Sequence, residues 1–167
     1  VVGISGLMGA GRTELAMSLF GHSYGHDISG KTFINGKEVV MNTIKAAIDN
    51  KLAYVTEDRK GNGLILENSI MENTTLANLG AISTNQVIDT DLEYQVSKDI
   101  AHKLNTKCTT VRDEVNNLSG GNQQKVLLGK WIFTEPEILL LDEPTRGIDV
   151  GAKYEIYCII NQLVAEG

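Results

Sequence analysis

The stretch Gly6-Leu-Met-Gly-Ala-Gly-Arg-Thr13 constrains this chain more than any other. A strand-like apolar run, Val1-Val-Gly-Ile4, precedes it, and a helix-like run from Thr13 to Phe20 follows. Strand, glycine-rich turn and helix N-terminus in that order are the setting of a phosphate-binding loop. Glycines let backbone N–H groups approach an anion, and the helix dipole favours negative charge there. The pattern Gly-x-x-x-x-Gly-Lys-Ser/Thr is met at Gly6, Gly11 and Thr13, with Gly9 as a further glycine. Arg12 stands where the lysine belongs, and Glu14 puts a carboxylate beside the place for phosphate. Taken alone, such a loop is as often a plain tight turn.

Downstream, Lys31-Thr-Phe-Ile-Asn-Gly36 followed by Glu38-Val-Val40 predicts a hairpin, since Asn-Gly supplies the positive backbone angles of a tight turn. Thr43 caps a short helix through Ile48, and Leu52-Ala-Tyr-Val55 is a strand leading into the polar loop Thr56 to Gly61. Ser69-Ile-Met-Glu72 is a capping box. Leu76 and Leu79 give that helix an apolar face, and Gly80 stops it. After caps at Asp89 and Thr90, Leu92, Val96, Ile100 and Leu104 recur every fourth residue and predict one buried helical stripe. Ile138-Leu-Leu-Leu141 has the continuous apolar character of a strand buried on both faces of a parallel sheet. A last helix starts near Asp149, with Ile156, Ile159, Ile160, Leu163 and Val164 as its core stripe. Trp131 is read as core, Lys125 as solvent-facing, and His22, His26 and His102 as surface residues.

Only 5% of residues are aromatic, so the core has to be largely aliphatic. The net charge of -6 argues against nucleic acid as a partner, because phosphate backbones select clustered Lys and Arg. No apolar run approaches the length of a membrane span, and no basic-then-apolar leader is visible. Cys108 and Cys158 have no metal-ligand spacing and read as reduced thiols. Val1 lies inside a predicted strand and Gly167 just past a predicted helix, which is the expectation for a piece of a longer chain.

Two further motifs give the loop its meaning. In Ile138-Leu-Leu-Leu-Asp-Glu143 an acid at the end of a strand can support Mg²⁺ beside phosphates, and a second acid can orient or deprotonate an attacking water. Leu118-Ser-Gly-Gly-Asn-Gln-Gln-Lys125 opens a helix towards Trp131. Ser119 is placed to cap it, while Gly120 and Gly121 allow close approach to an anion.

With all three motifs in order, the chain resembles the ABC ATPases, whose signature is Leu-Ser-Gly-Gly-Gln or a near variant. It is most similar to the ATP-binding proteins of bacterial simple-sugar importers of the ribose, galactose and xylose type, which carry two ABC domains in one polypeptide. Gly-Arg-Thr-Glu14, Thr56-Glu-Asp-Arg59, Leu118 to Lys125 and Thr145-Arg-Gly-Ile-Asp-Val-Gly-Ala-Lys153 carry that likeness, and they resemble the second (C-terminal) domain. The resemblance implies an α/β P-loop fold, a parallel-sheet core over 1–66 and 131–167 and an inserted helical subdomain over 67–130.

It also implies roles. Gly6, Gly9 and Gly11 would shape the phosphate loop, with Arg12 and Glu14 at its end. Thr13 and Asp142 would hold Mg²⁺, and Glu143 would be the catalytic acid. Glu57 stands where the family has the glutamine that touches Mg²⁺ and senses the membrane partner. Leu118, Ser119, Gly120, Gly121 and Gln123 would serve the ATP of a facing domain, with Ser119 and Gly121 at its γ-phosphate, and Asp149 would lie in the loop between domains. The family's adenine-stacking aromatic would precede Val1 and its switch histidine would follow Gly167.

The implied partners are a second ABC domain, transmembrane permease subunits whose coupling helix meets the helical subdomain, and, indirectly, a periplasmic or extracellular sugar-binding protein. The implied place is the cytoplasmic face of the membrane, peripherally. Two departures bear on this domain's own site. The planar head of Arg12 cannot sit like a compact ammonium between phosphates. Glu14 sets like charges together. Arg12 as phosphate ligand and Arg12 as salt-bridge residue both stand at this point, as does Glu14 as a simple helix-terminus acid. The expected function is therefore an ATP-driven motor domain of a carbohydrate importer, with an altered phosphate loop and an intact signature. The alternatives are a non-hydrolysing nucleotide-binding or dimerisation module and, disfavoured by charge and by the short loop-to-signature distance, an ABC ATPase of DNA repair.

Overall fold

The computed structural model describes residues 1–7 and 9–166. Met8 of the glycine-rich stretch, and Gly167, lie outside the described residues. Helix α1 (Arg12–Leu19) is followed by the antiparallel hairpin β1 (Thr32–Ile34) and β2 (Lys37–Val39), then α2 (Ile44–Asp49) and β3 (Leu52–Val55). The hairpin turns at Asn35 and Gly36, both with positive φ (51° and 78°), as the Asn-Gly pair predicts. Thr43 caps α2 by accepting from the Ala46 N–H. Next come α3 (Ile70–Thr75), a 3₁₀ stretch (Leu76–Ile82), a two-residue hairpin β4 (Ser83–Thr84) and β5 (Val87–Ile88), and α4 (Thr90–Lys103). Helix α5 (Gly120–Ile132), strand β6 (Ile138–Leu141) and helix α6 (Val150–Glu166) complete the order.

Strands β3 and β6 are parallel and in register from Leu52↔Ile138 to Val55↔Leu141. Their carboxyl ends therefore finish side by side, and the Asp142 N–H donates to the Val55 carbonyl at 3.0 Å. Everything that follows from either strand emerges at one edge, where open α/β sheets place their ligands. Phe20, at the end of α1, anchors that helix with an edge-on contact to Trp131 (5.2 Å between centroids) and a tilted one to Tyr54. One hydrophobic cluster runs from Phe20 and β3 through Leu127 and Leu128 of α5 to Ile70, Leu104 and Ile156.

Local signals predicted the caps well. Ser69 accepts from the Glu72 N–H, and Glu72 reaches back to the Ser69 N–H at 2.8 Å. Asp89 caps α4 and Ser119 caps α5. Several face assignments need correction. Val1 to Ile4 is not a strand; it pairs with no neighbour and Val1, Val2 and Ile4 are exposed. Strand β6 is only half-buried, with Ile138 exposed, so it is not covered on both faces. The buried line of α4 is Glu93, Ser97, Ala101 and then Leu104, one residue round from the predicted stripe, and Leu92 is exposed. The reason is tertiary: the Thr75 hydroxyl meets Glu93 at 2.8 Å, so that face can carry a buried carboxylate.

Leu76 and Leu79 are exposed as well, and the chain continues past Gly80 as 3₁₀ turns. Of the α6 stripe only Ile156 is fully buried, and Val164 is exposed. Lys125 does not face solvent. It is 1% exposed, and its ammonium donates to the Asn105 carbonyl at 2.6 Å and pairs with Glu155 at 2.7 Å.

Candidate nucleotide site

Three oxygen-bearing side chains from separate segments converge at the end of the parallel pair. The Thr13 hydroxyl, in the first turn of α1, lies 2.6 Å from Asp142 Oδ2 and 3.3 Å from Glu57 Oε2. Asp142 directly follows β6, and Glu57 stands two residues after β3. A residue of β3 joins them: the Tyr54 hydroxyl donates to Asp142 Oδ2 at 3.0 Å. Burial, and then the Asp142 charge, push the Tyr54 phenol up to about 12, so it is a donor throughout the physiological range. A hydroxyl and two carboxylates form a hard-oxygen donor set of the kind magnesium accepts. Among the described residues there is no cluster of three His, Cys, Asp or Glu side chains, so such an ion would also need oxygens from a bound phosphate or water.

Two ion pairs flank this centre. Arg12 Nη1 meets Glu143 Oε1 at 3.1 Å, both side chains part-exposed. Glu143 itself has a positive φ of 44°, a backbone position that costs a non-glycine residue about 1–3 kcal/mol and that clusters at functional sites. Arg146 pairs with Glu57. Glu14 lies exposed in the first turn of α1, where a carboxylate complements the helix dipole. Gly9 and Gly11 have φ near 80°, a conformation that glycine adopts without strain, and Gly11 leads directly into α1. Gly6 is exposed just ahead of them.

The signature stretch forms a second, separate face. Ser119, Gly121, Asn122, Asp149, Gly151 and Glu155 share one polar cleft with Lys107. Gly121 is needed there, because a Cβ would come within 2.5 Å of Ala152 Cβ on α6. Gly120 packs beside Arg59 and the Gly147 carbonyl, and Leu118 is half-buried against the core. Gln123 is a correction. It is 4% exposed and turned inward, its amide donating to the Val115 carbonyl and its oxygen accepting from Arg59 at 3.4 Å. Asn122 takes its expected place in the cleft.

Sequence reading missed Tyr54, Arg59, Arg146 and Asn122. Arg59 links the loop after β3 to the stretch after β6 by donating to the Arg146 carbonyl at 2.9 Å. The polar run Thr56-Glu-Asp-Arg59 held the only signal for it.

The family model described as ABC transporter matches residues 1–146. The chain belongs to the ABC transporter family. Its fold is that of an ABC ATPase. It is similar to a nucleotide-free ATP-binding cassette from an ABC transporter, with a TM-score of 0.74, 18% identity and coverage of 95% of this chain and 64% of that one. It is also similar to the dimeric, post-hydrolysis ATP-binding cassette MJ0796 bound to ADP and Pi, with a TM-score of 0.72, 18% identity and coverage of 94% and 66%. Among curated relatives, the L-arabinose transport ATP-binding protein AraG of Geobacillus stearothermophilus is 59% identical over 167 residues. The xylose import ATP-binding protein XylG of Geobacillus kaustophilus is 52% identical, and the ribose import ATP-binding protein RbsA of Bacillus cereus is 49% identical. Each match covers all of this chain and 33% of the relative, so the chain spans about a third of their length. These matches do not support assignment to the second, C-terminal domain, and that expectation is withdrawn.

Proposed function

We propose that this chain is the ATP-binding and hydrolysing motor domain of a carbohydrate importer, and that its signature stretch completes the ATP site of a facing ABC domain. The observation that carries the reading is the convergence of Thr13, Glu57 and Asp142 at the carboxyl end of β3 and β6, beside the N-terminus of α1. Thr13 and Asp142 would hold Mg²⁺, Gly6, Gly9 and Gly11 would wrap the phosphates, and Glu143 would orient the attacking water. A bound magnesium ion would neutralise charge developing on the phosphate oxygens. Tyr54 keeps Asp142 in place by donating to one of its oxygens.

The phosphate loop is the weaker half of the design. Arg12 pairs with Glu143, so the loop's cation and the carboxylate proposed to be catalytic engage each other. That contact also favours the second reading, a non-hydrolysing nucleotide-binding or dimerisation module of the same assembly. The second cleft, with Ser119 and Gly121, suits the γ-phosphate of ATP held by the facing domain, with Asp149 in the loop between the two.

Among the described residues no helix is long and apolar enough to cross a membrane. Membrane contact is assigned to the largely apolar groove of about 750 Å³ lined by Phe20, Ile44, Ile48, Leu76, Leu79 and Trp131. Its occupant would be a helix of a transmembrane permease subunit, with the sugar-binding protein engaged indirectly and the domain held at the cytoplasmic face. The groove lies between α1, α2 and the helical part over 67–130, which is the subdomain division proposed for this chain. Titration of the protein with a fluorescent ATP analogue, with Mg²⁺ and with EDTA, tests the reading. Mg²⁺-dependent binding at micromolar concentration is expected; equal or absent binding under both conditions contradicts it.

A further inference from the structure

Asn122 occupies the third position of α5, one turn from the cap residue Ser119. The Lys107 backbone N–H approaches Asn122 Oδ1 at 2.9 Å. A backbone N–H only donates, so this contact fixes the carboxamide: its oxygen faces Lys107 and its NH₂ faces Ser119. That NH₂ donates to Ser119 Oγ at 3.0 Å, and the Asn122 backbone N–H approaches the same oxygen at 3.4 Å. A serine hydroxyl has two acceptor lone pairs and one hydrogen. With both lone pairs engaged from within the helix, the hydrogen is left to donate into the cleft. Each of the two acids of that cleft has one oxygen engaged elsewhere: Asp149 Oδ1 accepts from the Ala152 N–H at 2.9 Å, and Glu155 Oε2 pairs with Lys125. Lys107, exposed on the same rim, adds positive charge.

We infer that Asn122 is a positioning residue that holds the Ser119 hydroxyl as an outward hydrogen-bond donor for an anionic oxygen. The inference rests on the reading in which Ser119 meets the γ-phosphate of the facing domain's ATP. It assigns Asn122 no contact with the nucleotide; its effect runs through Ser119 alone.

The test is a double-mutant cycle on ATP turnover in the full-length protein, with Ser119→Ala, Asn122→Ala and the pair. Asn122→Ala is expected to lower kcat about three- to tenfold and leave KM within about twofold, less than loss of a whole charge-assisted donor, because the Ser119 hydroxyl remains and only its orientation is freed. On the Ser119→Ala background the same change is expected to alter kcat by less than about 1.5-fold. Asn122→Asp keeps an acceptor for the Lys107 N–H but turns the Ser119 hydroxyl inward, so its melting temperature should stay near wild type while kcat falls at least as far. Full persistence of the Asn122→Ala effect without Ser119, or wild-type kcat in Asn122→Asp, overturns the proposal.

A protein that turns over no ATP would sink the functional reading instead. The bond itself is then read by NMR. Slowed exchange of the Asn122 side-chain amide protons, lost in Ser119→Ala, supports the positioning role, and fast exchange in the wild type overturns it.

Discussion

The Thr13 hydroxyl donates to Asp142 Oδ2 at 2.6 Å, tying the first turn of α1 to the residue after β6 across 129 positions of sequence. Neither residue is deeply buried, so the bond adds little to folding; in the proposed reading it holds two metal donors at one point. Thr13→Val keeps the shape and removes the oxygen. Stability should change by no more than about 1 kcal/mol, the ordinary net worth of such a bond. The Mg²⁺-dependent part of ATP-analogue affinity should fall tenfold or more, measured by titration with Mg²⁺ and with EDTA. Unchanged Mg²⁺ dependence would remove Thr13 from the metal site.

Lys125 and Glu155 tie α5 to α6 with an ion pair of 2.7 Å. The lysine is buried to 1% exposure while its partner is 41% exposed, so the cost of a substitution falls unequally. The hydrogen bond from Lys125, and then its charge, hold the Glu155 carboxyl below the usual glutamate range. Lys125→Ala loses the pair, strands the Asn105 carbonyl and leaves a cavity, for a predicted cost of about 2–4 kcal/mol in urea denaturation. Lys125→Met refills the volume and should recover about half. A cost below about 0.5 kcal/mol would mean the lysine is free in solution.

Gly121 and Ala152 leave no room for another carbon, since a Cβ on Gly121 would lie 2.5 Å from Ala152 Cβ. Gly121→Ala should push α5 from α6 and destabilise by about 1–3 kcal/mol. Ala152→Gly in the same molecule should return most of that by opening the space, minus the cost of glycine in a helix of about 1 kcal/mol. Thermal unfolding of the three variants decides it; purely additive losses would place the two residues apart.

The capping box at Ser69 carries a pH signature. Hydrogen bonds from the Ser69 side chain and backbone lower the Glu72 carboxyl from its usual value. A carboxyl depressed on folding contributes stability above its unfolded pKa of about 4.5, and that contribution disappears as pH falls through the native value. Ser69→Ala should therefore cost about 0.5–2 kcal/mol at about pH 7 and less near pH 3, as protonation weakens the Ser69 bonds to the Glu72 carboxylate while the cap on the Glu72 N–H remains. Urea denaturation at the two values measures this. Equal costs at both would show that Glu72 gains nothing from the cap.

Caps and turns were legible in the sequence because each is decided within a few residues: Asn35-Gly36, Thr43, Ser69 with Glu72, Asp89 and Ser119. Helix faces were less so, because they depend on what lies opposite. Thr75 makes room for Glu93 in α4, and Glu155 with the Asn105 carbonyl draws Lys125 inward. The same limit applies at the site. Motif spacing located Thr13, Asp142 and Glu143, and the family resemblance located Glu57; the fold brings them to one end of the parallel pair. Spacing could not tell Asn122 from Gln123, which differ by a step of about 100° round α5: one side chain reaches the cleft and the other packs under Arg59.

In the proposed reading this domain's best phosphate contact, at Ser119, serves the ATP of a facing domain. ATP turnover by the full-length protein after Ser119→Arg, compared with turnover after Glu143→Gln, tests it most directly. Turnover is expected to collapse with Ser119→Arg and to fall less with Glu143→Gln, whose carboxylate pairs with Arg12. Nearly normal turnover with Ser119→Arg, and collapse only with Glu143→Gln, would contradict it.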